Sequence, residues 1–198
     1  MQPFVLESAR VRLEVPRTAD TLSIHRACQD PTLQKYTTVP VPYQFSDAQF
    51  FVAQVVERGW TTGAEFTWGL REPGSSELVG MVSIRARHRD VGFWSAPEAR
   101  GRGLMTEAVR LVVDWAFENG YPDVLWEGYV GNRASAGVAR RVGFTYTGTG
   151  PGLQPDRERG HPACWKGRLA KTDGREQKPG WPDLEVDTDA DAREPSAE

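Results

Sequence analysis

Arg100-Gly101-Arg102-Gly103-Leu104-Met105-Thr106-Glu107-Ala108 decides how this chain is read. A strand-like stretch, Asp90-Val91-Gly92-Phe93-Trp94-Ser95, precedes it and ends at Pro97. A helical pattern follows at once, with Leu104, Ala108, Leu111, Val112, Trp115 and Ala116 at helical spacing. A glycine turn that opens directly into a helix leaves backbone N–H groups unpaired at the positive end of the helix dipole. Phosphates bind at such a place without a dedicated side chain, and Arg100 and Arg102 add charge suited to phosphate oxygens. Arg-Gly text also occurs in disordered RNA-binding segments. Here an apolar strand and an amphipathic helix flank it, which argues for an ordered turn.

The rest of the chain sets the bounds. Its 198 residues suggest one domain, and 39% hydrophobic content with seven tryptophans is enough for a core. Residues 171–198 carry four Lys or Arg against nine Asp or Glu, which leaves 20 basic and 18 acidic residues before them. The body, 1–170, is therefore slightly basic, and the acidic balance belongs to the tail. That tail, above all Asp187 to Glu198, is expected to be disordered or loosely docked, since it has little apolar surface to bury. No apolar run approaches a membrane span and no signal-peptide pattern opens the chain, so a soluble cytoplasmic protein without a membrane partner is expected. Cys28 and Cys164 lie far apart without CxxC spacing, and His25, His88 and His161 show no ligand spacing. Neither a disulfide framework nor a metal site is expected, and the cysteines read as small buried hydrophobes.

A pass along the chain gives a strand at Arg10–Val15 and a helix capped by Thr18 or Asp20 that runs through Ala27. An irregular connection from Asp30 to Phe45 comes next, then a second helix from Ser46 or Asp47 to Gly59. The runs Ala64–Arg71 and Leu78–Ala86 read as a hairpin, and Asp90–Ser95 as a third strand. The long helix ends at Asn119-Gly120. Val124–Val130 is another strand, Asn132–Val142 a short helix, and Phe144–Thr149 with Ala163–Leu169 a final hairpin. This order predicts an α/β fold with a mixed, mostly antiparallel sheet flanked by helices. Its parallel pair, Asp90–Ser95 and Val124–Val130, is joined by a right-handed crossover through the long helix. A site then forms at the carboxyl ends of that pair, where two helices begin.

The second helix start has its own logic. Asn132 is a strong N-cap and Ser135 lies one turn in, facing the same crevice. The paired text D-V-G-F-W-x-x-P-E-x-R-G-R-G-L-M-T-E-A and N-x-x-S-x-x-V-x-x-x-V-G-F resembles the GNAT N-acetyltransferases. Within them it is most similar to the ribosomal-protein-acetyltransferase branch, the RimJ/RimL-like enzymes. The resemblance covers about Ser8 to Leu169 and excludes the tail. It implies the GNAT fold, with a splayed parallel strand pair, and acetyl-CoA as cosubstrate. It also implies that backbone amides across Arg100, Gly101, Arg102, Gly103, Leu104 and Met105, with Thr106 just inside the helix, hold the coenzyme A pyrophosphate. Met105 departs from the Gly or Ala usual at its position. The pantetheine arm is expected along Phe93, Trp94 and Ser95 and against Asn132 and Ser135. Many relatives carry a tyrosine four residues before the Gly-Phe of the second motif. That position is Ala139 here, so within the resemblance the general-acid role passes to Ser135.

Acetyl transfer from a thioester to an amine needs a base, a donor for the carbonyl oxygen and stabilisation of the leaving thiolate. A backbone N–H around Phe93 or Trp94 would serve as the oxyanion donor. Asp90 is the first candidate base, by its place on the strand beside the acetyl group. Glu127 is the second, because burial among apolar residues makes a carboxylate a better base. His88 sits in a turn and reads as surface. Trp60, Trp68, Trp94 and Trp126 invite comparison with a cage for a cationic acceptor, with core packing the better reading for most of them. Residues 30–45 and 150–162, including Asp156 and Glu158, would form the acceptor entrance. The acceptor is a primary amine, a protein N-terminal amine by branch resemblance or a small molecule such as a polyamine or antibiotic. A non-catalytic acyl-CoA sensor is the rival from another class. Nucleic acid is not an expected partner, because the body is barely basic and no exposed stretch interleaves aromatics with arginines. A homodimer is left open.

Overall fold

The computed structural model describes residues 2–156 and 160–184. One eight-stranded sheet runs through it, built from β1 (Leu6–Glu7), β2 (Arg12–Glu14), β3 (Glu65–Arg71), β4 (Gly80–Arg85), β5 (Asp90–Ser95), β6 (Asp123–Tyr129), β7 (Thr145–Pro151) and β8 (Ala163–Ala170). The order across the sheet is β1-β2-β3-β4-β5-β6-β8-β7. Every neighbouring pair is antiparallel except β5 and β6, which run parallel. The expected mixed sheet with one parallel pair is the observed one. The last hairpin is inserted with its second strand inward, so β8 rather than β7 meets β6.

The crossover helix α5 (Leu104–Glu118) lies against the sheet and buries Leu104, Met105, Ala108, Val109, Val112, Val113 and Ala116. Facing it are Phe66, Trp68 and Leu70 of β3, Val82 and Ile84 of β4, Val91 of β5 and Val124 and Trp126 of β6. Alternation along the strands sends the opposite set of side chains to the other face. The register places Glu65, Ser83, Arg85, Asp90 and Glu127 on that second face, next to Met81 and Trp94, which pack in a second apolar cluster. α6 (Arg133–Val142) packs beside α5.

Three local features differ from the sequence reading. The connection after α1 (Thr21–Ala27) holds a short helix, α2 (Pro31–Tyr36), because Asp30 accepts from Leu33 N at 2.8 Å and Pro31 occupies the first turn, where its missing N–H costs nothing. The next helix starts at Phe45, since Asp47 bonds back to Gln44 N. It runs as α3 (Phe45–Phe50), a π-helical turn (Phe51–Val56) and α4 (Glu57–Thr62), ending at Gly63 with φ +70°. Gly59 does not stop it and instead lets β3 approach, as a Cβ there would lie 2.5 Å from Glu65 O.

Packing also continues past residue 170. Lys171 Nζ donates to Phe117 O at 2.8 Å, Arg175 pairs with Asp114, and Lys178 Nζ donates to Gly143 O at 3.0 Å. Trp181 lies 5.5 Å from Trp126 and 5.6 Å from Tyr146 between ring centroids, and Leu184 packs on the core. Residues 171–184 are thus a strap on the domain, and Gly143 is cut to fit it: a Cβ there would meet Arg175 Cα at 2.9 Å. Asp187 to Glu198 lie outside the described residues. No helix of the described residues is long and apolar enough to cross a membrane.

Candidate active site

β5 and β6 pair only at Asp90–Leu125 and Val91–Trp126, then diverge. The wedge they leave opens into a cleft of about 1510 Å³, lined by Phe93, Trp94 and Ser95 on one side and Glu127, Gly128, Asn132 and Ser135 on the other. Leu125 N donates to Arg89 O (2.8 Å) across the closed end of the wedge, while Ala96 N donates to Val79 O (3.0 Å) on the β4 side. Strand alternation between these two fixed points turns the amides of Phe93 and Ser95 into the wedge and that of Trp94 toward β4. Of the Phe93 and Trp94 amides, it is that of Phe93 that faces the cleft.

The glycine turn stands at the mouth of this cleft. Gly101 and Gly103 have φ of +73° and +76°, which L side chains reach only with strain. The first intrahelical bond of α5 is Glu107 N to Gly103 O at 3.2 Å, so the amides of Leu104, Met105 and Thr106 precede the ladder. These are the groups a diphosphate needs. Arg10 Nη2 props the turn from behind, donating to Arg102 O at 2.7 Å. Arg100 and Arg102 hold carboxylates of their own, Asp30 and Glu72. Both arginines are partly exposed, and surface pairs of this kind contribute little stability. Met105, the irregular position, is buried, and its Cε lies 3.1 Å from where a Cβ on Gly80 would stand. Gly80 therefore provides the room that lets the Met side chain turn into the sheet, and the backbone of the turn stays accessible.

Asn132 caps α6, its Oδ1 accepting from Ser135 N at 3.2 Å. Ser135 Oγ accepts from Trp126 Nε1, also at 3.2 Å, and faces the cleft. Arg140 and Arg141 reach the same cleft further along α6, and Arg141 Nε is 3.4 Å from Thr106 Oγ1 at the start of α5. Neither arginine is among the residues singled out from the sequence.

The two candidate bases part company. Asp90 sits at the closed end of the wedge and is 1% exposed, with Arg85 gripping both carboxylate oxygens. It does not line the cleft. Its side chain points where its register partner on β4 waits, so the strand position that made it a candidate is taken by an ion pair. Glu127 does line the cleft. Leu153 N donates to its Oε1 at 2.8 Å and Lys166 Nζ lies 3.6 Å from its Oε2, while that buried Oε2 has no hydrogen bond. That oxygen is the one hydrogen-bond position on Glu127 left without a donor, beside the Lys166 charge.

Around the entrance, Tyr36, Thr37, Thr38 and Val39 line one side and Gln154 and Pro155 the other. Asp156 is buried rather than solvated and accepts from Tyr129 at 3.0 Å. Glu158 lies outside the described residues. Trp60 meets Trp68 and Phe66 edge-on in the core, and only Trp94 and Trp126 of the four reach the cleft. Cys28 and Cys164 are both free and buried. Burial pushes their thiols up to about 12 and about 11, far from a nucleophilic thiolate.

Residues 10–145 match the model of the acetyltransferase (GNAT) domain. The chain belongs to this family. The match takes in β2 to β6 with the splayed parallel pair, the turn at α5 and α6. Among curated proteins, the "Putative ribosomal N-acetyltransferase YdaF" of Bacillus subtilis is 36% identical over 86 residues, 40% of this chain and 46% of that protein. The match therefore spans about half of that relative's length. Among solved structures, a "putative ribosomal-protein-serine acetyltransferase" of Vibrio cholerae superposes with a TM-score of 0.76 at 20% identity, covering 86% of this chain and 99% of the other. RimL, the ribosomal L7/L12 α-N-protein acetyltransferase in complex with coenzyme A, gives 0.72 at 17% identity over 84% and 98%. The Microcin C7 self-immunity acetyltransferase MccE, in complex with acetyl-CoA and AMP, gives 0.71 at 16% over 82% and 93%. At these identities the likeness is one of fold.

Proposed function

We propose that this GNAT protein is an acetyl-CoA-dependent N-acetyltransferase that moves the acetyl group directly from the thioester to a primary amine. One observation carries the reading: the splayed edge of β5, the amides at the start of α5 and the hydroxyl of Ser135 at the start of α6 all open into a single cleft. The amides of the glycine turn suit the diphosphate, with Arg100, Arg102, Arg140 and Arg141 beside it for phosphate charge. Phe93 N–H is aimed where negative charge develops on the carbonyl oxygen. Glu127 takes the proton from the attacking amine, directly or through water. The amine nitrogen forms its bond to the acetyl carbon as the carbon–sulfur bond breaks; Ser135 gives its proton to the departing thiolate and regains one from solvent, to which Glu127 releases the amine's proton. A thioester is already activated, so no covalent enzyme intermediate is required, in keeping with two buried cysteines of raised pKa.

The acceptor we favour is a protein N-terminal amine. Its support is the naming of the relatives above, several of which are ribosomal-protein acetyltransferases by title, together with a cleft open enough to admit a chain end. A homodimer is compatible with this reading and is not required by it. The test is mass spectrometry of short peptides beginning with Ser or Ala after incubation with acetyl-CoA. Acetylation confined to the α-amine is expected. Acetylation of polyamines or aminoglycosides with the peptides untouched would overturn the choice of acceptor while leaving the chemistry intact.

A further inference from the structure

In the acetyltransferase reading, on which this inference rests, Ser135 must direct its proton at the leaving thiolate, and the structure shows what aims it. Trp126 on β6 is 2% exposed, and its indole Nε1 donates to Ser135 Oγ at 3.2 Å. An indole N–H can only donate, so the serine oxygen is the acceptor in that bond. The hydroxyl proton is thereby turned away from β6 and left for the cleft.

The surroundings are shaped for this bond. Two residues along β6 on the same face stands Gly128, where a Cβ would lie 2.8 Å from Trp126 Cζ2 and 3.6 Å from Ser135 Oγ. Directly across on β8, in register with Trp126, stands Gly167, where a Cβ would lie 3.3 Å from Trp126 Cε3. Both positions that would crowd the indole are bare, so the ring lies along the sheet and reaches Ser135. From outside, Trp181 of the strap closes over it at 5.5 Å between centroids, with Trp181 Cη2 3.4 Å from that same Gly167 position. A tryptophan that only filled the core would have no need of both clearings.

We infer that Trp126 is a positioning residue for Ser135, and that residues 171–184 belong to the active site through Trp181, which holds the indole in place. The test is a double-mutant cycle on thiol release, with acetyl-CoA and amine both saturating. Trp126→Phe keeps an aromatic ring, smaller than the indole, and removes the N–H, so kcat should fall about 3- to 10-fold, the worth of one neutral hydrogen bond, with the KM for acetyl-CoA held within about twofold. Added to Ser135→Ala, the same change should slow turnover no further. A packing defect would slow both backgrounds by the same factor. Equal factors, or an unaffected Trp126→Phe, would overturn the inference. Should Trp126→Phe not fold, Trp181→Ala at its half-buried site gives the same comparison: slower with Ser135 present, and without effect in the Ser135→Ala background. Absence of thiol release by the unmodified protein would bring down the acetyltransferase reading itself, and this inference with it.

Discussion

A side chain's chemistry depends on which neighbour the fold puts across from it, and Asp90 and Glu127 show this most sharply. Both are carboxylates on adjacent strands, yet Arg85 grips one and the cleft receives the other. Glu127→Gln should lower turnover about 100-fold or more, the usual worth of a general base, while acetyl-CoA still raises the melting temperature. Asp90→Asn should act on stability, costing about 2 kcal/mol in denaturant unfolding; Arg85 keeps some water, so the cost stays below that of orphaning a fully buried charge. Turnover lost in Asp90→Asn with stability unchanged would reverse the assignment. The cysteines give a separate check. Their thiols are raised to about 12 and about 11, so the thiolate fraction at pH 8 is small in the folded state and recovers on unfolding. Alkylation by iodoacetamide at pH 8 should be slow in buffer and fast in denaturant, and rapid labelling of the native protein would contradict the burial. The burial of the cysteines was legible in the sequence, but the division between the two carboxylates was not. Asp90 and Arg85 lie five apart in the chain, and only the register of the β4–β5 hairpin makes them partners. The bond from Trp126 to Ser135 needs a strand and a helix to meet, which a linear pattern does not specify.

Elements were legible where their ends are marked. Pro97 and Gly103 before α5, Gly120 after it, and Asn132 and Gly143 around α6 each have a backbone reason to stand where they do, and the sequence boundaries there fall within a residue or two of the observed ones. α2 was hidden because the surrounding prolines suggest irregular chain, although Pro31 at a helix start is favourable. The place of β8 between β6 and β7 was hidden for another reason: a hairpin pattern states that two strands pair and is silent on which of them faces the sheet. The α5 turn offers the direct test at this scale. Gly103 has φ +76°, so any side chain costs about 1 kcal/mol or more of strain, and a large one also blocks the amides. Gly103→Trp should fold with a lowered melting temperature and show none of the stabilisation that acetyl-CoA gives the unmodified protein. A retained shift would move the diphosphate elsewhere.

At the scale of the whole molecule, composition misplaced the boundary. Averaged over residues 171–198, acidic charge and scattered Gly and Pro read as a tail, yet its first half carries Trp181 and Leu184 into the core and ties Arg175 and Lys178 to α5 and α6. Removing 171–198 should therefore lower the melting temperature by several degrees, as expected when a buried aromatic and its neighbours are lost. An unchanged melting temperature would show that the strap contributes nothing. The domain as a whole joins a cleft fit for a thioester donor to a carboxylate fit to deprotonate an amine, and that junction is the central claim. It is tested most directly by following free thiol released from acetyl-CoA with and without an amine acceptor. Release is expected with an amine and an intact Glu127, is absent without the amine, and falls to about a hundredth or less in Glu127→Gln. Release without any amine, or binding of acetyl-CoA with no release under a broad set of peptide and small amines, would contradict it.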